Sequence, residues 1–157
     1  MPLIALILSL LISLPLHAEI TGKAKVLNGD TFQLGETTIR LSKIDAPELE
    51  QKCRTHKGRV QKCGRMAAQN LLRIVQGQPL NCHPEGQAED GVTLATCYLG
   101  PFNINEQMIA DGWAVALPGE GNYIRAENFA KARNEGMWRS TFVLPWEWRA
   151  GRRLEAP

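Results

Sequence analysis

Between residues 20 and 99 the chain divides into five short strand-like runs, with one helical run between the third and the fourth. That order limits the available folds more than any other feature. Residues 20–27 end at Asn28-Gly29, and the runs 31–34 and 37–43 flank Gly35-Glu36. Such pairs are hairpin signals because their residues accept the positive φ that tight turns require. In the third run Ile39 and Leu41 share one face, while Thr38, Arg40 and Ser42 share the other, since strand side chains alternate. Residues 59–75 then place Val60, Cys63, Ala67, Leu71 and Ile74 three or four apart, the stripe of an amphipathic helix that Gly77-Gln78-Pro79 ends. Residues 80–83 and 92–99 supply the last two strands, on either side of the polar stretch 84–91. An open sheet this small would expose two unpaired edges. The expectation is therefore an all-β core closed into a five-stranded barrel, with about three flanking helices. The other two helices are predicted over 103–110, opened by an Asn103/Glu106 capping box, and over 123–134, capped by Asn122 and ended by Gly136. Trp146 and Trp148 are expected to cover the barrel or a helix end rather than stack on bases.

The length of 157 residues suits one domain with a real core. Residues 1–18 are set apart: residues 3–14 are almost wholly apolar, too short for a span of ~17–25 residues, and precede Leu16-His17-Ala18. They are predicted to be a signal peptide, with an uncleaved anchor as the alternative, leaving residues 19–157 as a single secreted or periplasmic domain. Export and an even cysteine count favour two disulfides. Three pairings are arithmetically open, and local spacing favours Cys53–Cys63 and Cys82–Cys97. Zinc is disfavoured because no C-x₂-C pair exists. Nucleophile-elbow, Walker and zincin patterns are absent from the sequence, and the histidines lack catalytic neighbours.

The formal net charge of +2 says little about a polyanionic partner. Its distribution says more. Lys52, Arg54, Lys57, Arg59, Lys62 and Arg65 lie in one stretch, 51–65, without an acid. This stretch reads equally as a guide for nucleic-acid phosphates or as a solvated loop. Arg149, Arg152 and Arg153 form a second basic cluster near the chain end, where order is commonly lost. Immediately before the first cluster, Asp30, Asp45 and Glu48 accompany Arg40 within nineteen residues, although aspartates occur only at 30, 45, 90 and 111. Carboxylates are hard oxygen ligands for Ca²⁺ or Mg²⁺, and a guanidinium can clamp a phosphate bidentately. Ala46-Pro47 fixes the turn from Asp45 to Glu48.

The ordered run N28-G29-D30-T31, then R40-L41-S42-K43-I44-D45-A46-P47-E48, resembles the staphylococcal nuclease (thermonuclease-like) family. Further pieces of the pattern are C63-G64, I104-N105-E106 through G112-W113-A114, and Y123-I124-R125-A126-E127 leading to G136-M137-W138. The resemblance implies an OB-fold barrel and Ca²⁺-dependent hydrolysis of DNA or RNA phosphodiesters, with Mg²⁺ as an alternative cation. It implies metal ligation by Asp30, Asp45 and the Ala46 carbonyl, phosphate binding by Arg40, and activation or orientation of water by Glu48. Asn28 stands where the family commonly has a further Asp. The larger departure is Asp90-Gly91-Val92, where the family carries Tyr-Gly-Arg; Val92 cannot donate to a phosphate. Arg54, Arg59 or Lys62 are candidate replacement phosphate contacts. The alternative is a catalytically impaired nucleic-acid-binding or protein-binding domain. The expected partner is single-stranded or duplex DNA, or RNA, bound by a monomer without stable membrane association after cleavage of the leader.

Overall fold

The computed structural model describes residues 18–155; the predicted signal peptide falls almost wholly outside the described residues. Five strands close the barrel: β1 (Ile20–Val26), β2 (Thr31–Leu34), β3 (Thr37–Leu41), and later β7 (Pro79–Gln87) and β8 (Thr93–Leu99). Antiparallel pairs join β3, β2, β1, β7 and β8 in that order. A parallel pairing of β3 with β8, matching Arg40 to Leu94 and Leu41 to Ala95, then closes the circuit. The expected five-stranded barrel is what the chain forms, and its parallel β3–β8 seam, which makes the sheet mixed, leaves no edge open there.

Its interior is filled by the inward side chains of alternating strands, including Phe32, Ile39, Leu41, Leu80 and Ala95. Asn105, wholly buried, sits at the closing seam. Its Oδ1 accepts from Cys97 N at 3.0 Å, and its Nδ2 donates to the carbonyls of Ser42 and Ala95 at 3.0 and 3.1 Å. A buried amide is tolerated there because all three of these bonds are made to backbone.

Between β3 and β7 lie β4 (Ile44–Asp45), β5 (Cys53–Thr55), β6 (Val60–Gln61) and the longest helix, α1 (Cys63–Val75). After β8 come β9 (Phe102–Asn103), α2 (Ile104–Ala110), β10 (Val115–Ala116), α3 (Ile124–Arg133), β11 (Ser140–Thr141) and α4 (Pro145–Arg149). Three sequence-based boundaries change. Helix α1 starts at Cys63 rather than residue 59, because residues 53–61 form a hairpin in which Thr55 N donates to Arg59 O at 2.9 Å. Val60 is consequently exposed rather than part of the helix stripe. Strand β7 runs past residue 83 across a bulge at Pro84/Gly86, so much of the predicted polar loop is paired with β8. Asn122 lies inside a 3₁₀ turn, Gly121–Tyr123, and α3 begins at Ile124 without a side-chain cap. The Asn103 cap is as expected, with its Oδ1 accepting from Glu106 N at 3.1 Å.

A smaller apolar cluster lies outside the barrel. Cys53, Cys63, Val115 and Met137 are its buried members, and Trp113, Trp138, Phe142, Leu144 and Trp146 pack against it. Trp146 thus anchors α4 on this cluster outside the barrel, whereas Trp148 lies against Arg153 in a neighbouring cavity. Both disulfides pair as local spacing suggested. Cys82–Cys97 bridges directly opposed residues of β7 and β8, and Cys53–Cys63 ties the basic hairpin to the start of α1. Replacing Cys53 and Cys63 together by serine should cost about 2–4 kcal/mol in urea unfolding, since the bridge closes a short loop and also lies within an apolar cluster. A loss below about 0.5 kcal/mol would show that packing alone holds the hairpin to α1. Among the described residues no helix is long and apolar enough to cross a membrane.

Candidate active site

The acids predicted from sequence converge on one cavity of about 420 Å³, lined by Asn28, Asp30, Arg40, Asp45, Glu48 and Arg149 among others. Asp30 immediately precedes β2, in a tight loop in which Asn28 Oδ1 accepts from Asp30 N at 2.9 Å. Asp45 ends β4, which pairs with β10 through Asp45 opposite Val115. Ala46 N donates to Asp30 Oδ2 at 3.0 Å, so one acid-bearing loop is tied directly to the other. Arg40 reaches the cavity from the outer face of β3, as the strand alternation predicted.

Two glycines allow this approach. A Cβ on Gly29 would lie 2.8 Å from the Cβ atoms of both Ala46 and Ala67, so α1 presses on both acid loops at that point. A Cβ on Gly64 would overlap the Glu48 carbonyl. Buried Gln51 completes the brace: its N donates to Glu48 O at 2.7 Å, its Oε1 accepts from Glu48 N at 3.3 Å, and its Nε2 donates to Val143 O at 2.6 Å. The turn bearing Glu48 is therefore held between α1 and the segment leading into α4.

The electrostatics of the two aspartates differ. Burial pushes the Asp30 carboxyl up to about 6, against the hydrogen bonds from Ala46 N and Thr31 Oγ1, and the nearby Asp45 adds to the rise. Asp30 makes no ion pair among the described residues. Burial also raises Asp45, but Arg149 opposes it by donating Nη1 to Oδ1 at 2.9 Å and Nη2 to Oδ2 at 2.7 Å. Arg149 Nη1 further donates to Glu48 Oε1 at 3.0 Å. Arg40 is tied instead to exposed Asp90 at 2.8 Å and holds that carboxyl below the usual range.

Among the described residues no group of three or more His, Cys, Asp or Glu is arranged to hold a metal ion. The donor chemistry nevertheless suits a hard cation. Two neighbouring buried carboxylates lie beside the Ala46 peptide, Asp30 lacks a counter-ion, and Asp45 has drawn a guanidinium onto both its oxygens.

The predicted replacement contacts lie elsewhere. Arg54 donates to the Glu155 carbonyl and lines a different cavity, with Lys52, Trp148 and Arg153. Neither Arg54, Arg59 nor Lys62 lines the acidic cavity, and neither does Val92. The residue that sequence reasoning missed is Arg149. It stood in the basic cluster assigned to the chain end, and the only local signal was Pro145 followed by Trp146, which starts and anchors a short helix.

Residues 38–140, more than half of the chain, match the family model described as staphylococcal nuclease homologue. Asp30 precedes that stretch and Arg149 follows it. Succinoglycan biosynthesis protein ExoI of Rhizobium meliloti is 30% identical over 125 residues, 77% of this chain and 65% of that protein. An uncharacterized endonuclease of Haemophilus influenzae is 28% identical over 134 residues, 80% of this chain and 70% of its own length. The probable staphylococcal-like nuclease CAN3 of Oryza sativa subsp. japonica is 29% identical over 119 residues, which make up only 29% of that longer protein. The barrel, the loops that carry its acids and the family match agree: the chain belongs to the staphylococcal nuclease family.

Proposed function

We propose that the protein hydrolyses phosphodiester bonds in DNA or RNA with a divalent cation, Ca²⁺ or alternatively Mg²⁺. The observation that carries this reading is the convergence of Asp30, Asp45, Glu48 and Arg40 on one cavity within a staphylococcal-nuclease-family barrel. Asp30, Asp45 and the Ala46 carbonyl would hold the cation. When bound, it would supply positive charge to the phosphate as negative charge builds during attack. Arg40 clamps non-bridging phosphate oxygens. Its present partner Asp90 is half exposed, and such ion pairs contribute only ~0–1 kcal/mol, so exchange to a doubly interacting phosphate is inexpensive. Glu48, on the rim of the cavity, accepts a proton from the attacking water. Val92, just before β8, leaves the usual arginine position without a donor, which weakens this site relative to its family pattern. The protein acts as a monomer in an oxidising exported compartment; its two disulfides support that location.

A second reading, a catalytically impaired nucleic-acid-binding domain, is favoured by one specific observation: Asp90 both adds negative charge to the cavity and occupies Arg40. The oxidised protein incubated with single-stranded DNA, duplex DNA and RNA, with Ca²⁺ or chelator, separates the two. Cation-dependent cleavage supports hydrolysis. Tight, salt-sensitive binding without cleavage selects the binding domain.

Cation affinity should also depend on pH. A ligand carboxyl must be deprotonated, and Asp30 is raised to about 6, so protons compete below that value. Calorimetry should show Ca²⁺ affinity level above pH 7 and falling about tenfold between pH 6 and 5, as one proton is displaced. An affinity unchanged down to pH 4.5 would remove Asp30 from the ligand set.

A further inference from the structure

Arg149 is a cation that the acids of the cavity already hold. It ends α4, beyond the segment that matches the family, yet it takes both oxygens of Asp45 and one of Glu48. Asp45 is buried, whereas Arg149 remains 46% exposed, so the guanidinium covers the acid from the solvent side. With both Asp45 oxygens engaged, a divalent cation that uses Asp45 must take them from Arg149. The displaced side chain cannot go far. Trp146 anchors α4 on the apolar cluster beneath, and the same segment is pinned through Val143 O to Gln51.

A freed guanidinium at the cavity mouth has a planar fork that fits two phosphate oxygens as well as it fits a carboxylate. The cavity otherwise offers one guanidinium, Arg40, and Val92 does not face into it. The geometry points to Arg149 as the second phosphate-binding guanidinium of this site, held on Asp45 until a divalent cation displaces it. This rests on the phosphodiesterase reading and extends it. It also differs from simple blockage. A plug would free the enzyme when removed, whereas a phosphate ligand would be missed.

Three variants of the full exported chain test the exchange: Arg149→Gln, Arg149→Lys and, as a control for charge alone, Arg152→Gln, whose residue pairs with Glu147 outside the cavity. Ca²⁺ affinity is read by calorimetry without nucleic acid. Phosphate binding is read at saturating Ca²⁺ with a dinucleotide whose linkage is a non-hydrolysable methylenephosphonate. Arg149→Gln should bind Ca²⁺ about tenfold more tightly than wild type, because a competitor for Asp45 is gone. It should bind the dinucleotide about tenfold more weakly, and its single-turnover cleavage should fall about a hundredfold. Arg149→Lys keeps the charge but lacks the fork and should not recover dinucleotide affinity. Arg152→Gln should match wild type in all three measurements. Calcium affinity no tighter in Arg149→Gln than in Arg152→Gln would overturn the exchange. Unchanged dinucleotide binding, or cleavage at least as fast as wild type, would overturn the phosphate role. The two readings also fail separately. Arg149-dependent dinucleotide binding without cleavage would reject hydrolysis and support this inference, whereas cleavage with Arg149-independent binding would do the reverse.

Discussion

Replacing Asp30 with Asn should lower cleavage by about a thousandfold or more while making the cation-free protein more stable, because the buried charge serves function at the expense of folding. The barrel buries this carboxyl without a paired cation, which raises it from 3.8 to about 6. At pH 8 that shift corresponds to a cost of roughly 3 kcal/mol for keeping Asp30 ionised. Asparagine removes the charge but loses one accepting oxygen, worth about 1 kcal/mol, so a net gain of about 1–2 kcal/mol is expected. The pH dependence gives the sign independently. Folded Asp30 holds its proton more firmly than the unfolded chain does. Its contribution is fully present below the unfolded value of 3.8 and is lost as pH rises through about 6. Wild type should therefore lose stability relative to Asp30→Asn across that window, and below pH 4 the order should reverse, with wild type ahead by about 1 kcal/mol for the accepting oxygen it keeps. Urea unfolding from pH 4 to 8, beside single-turnover cleavage, checks both halves. An Asp30→Asn protein less stable than wild type at pH 8 would contradict the burial argument.

Gly64→Ala should destabilise the fold by about 2 kcal/mol and abolish most activity. The added Cβ would overlap the Glu48 carbonyl and lie 2.9 Å from Leu49 Cα. Both obstacles are backbone, so no rotamer change relieves them. Either α1 or the Asp45–Glu48 turn must shift, at a cost of about 1–3 kcal/mol for overpacking. Alanine's better helix propensity returns ~1 kcal/mol at most, which does not reverse the sign. Gly121→Ala is the matched control, because Gly121 has nothing within 4 Å and no positive φ. Its unfolding free energy should match wild type. Equal stability and activity for Gly64→Ala would mean that α1 does not position Glu48.

The strands, the long helix and the disulfides were legible because each has a local signature: Ile39 and Leu41 alternating with Arg40, Leu71 recurring on the helix stripe, cysteines spaced for a hairpin. The core acids were legible for the same reason, since Asp30 and Asp45 sit at strand ends marked by Asn28-Gly29 and Ala46-Pro47. The start of α1 was misplaced because β5 and β6 are too short to alternate visibly, and Thr55 and Gly58 make their turn without a standard pair. Arg149 was not legible. Its place depends on tertiary packing of Trp146 and on Asp45, which is 104 residues away in sequence. The basic stretch was legible as charge but not in its placement. Arg54, Arg59 and Lys62 are close to the acids in sequence, but none of them lines the cavity.

The most direct test of the central claim is the single-turnover cleavage rate of a labelled single-stranded DNA oligonucleotide as a function of free Ca²⁺, set beside calorimetric Ca²⁺ binding at the same pH. A hydrolase whose cation sits on Asp30 and Asp45 predicts that the rate rises with a midpoint equal to the calorimetric dissociation constant measured with the analogue bound. It also predicts no cleavage above background in chelator, and cleavage slower by about a thousandfold or more in Asp30→Asn at every Ca²⁺ concentration. Cleavage that persists in chelator, or an Asp30→Asn rate within about tenfold of wild type, would contradict the account.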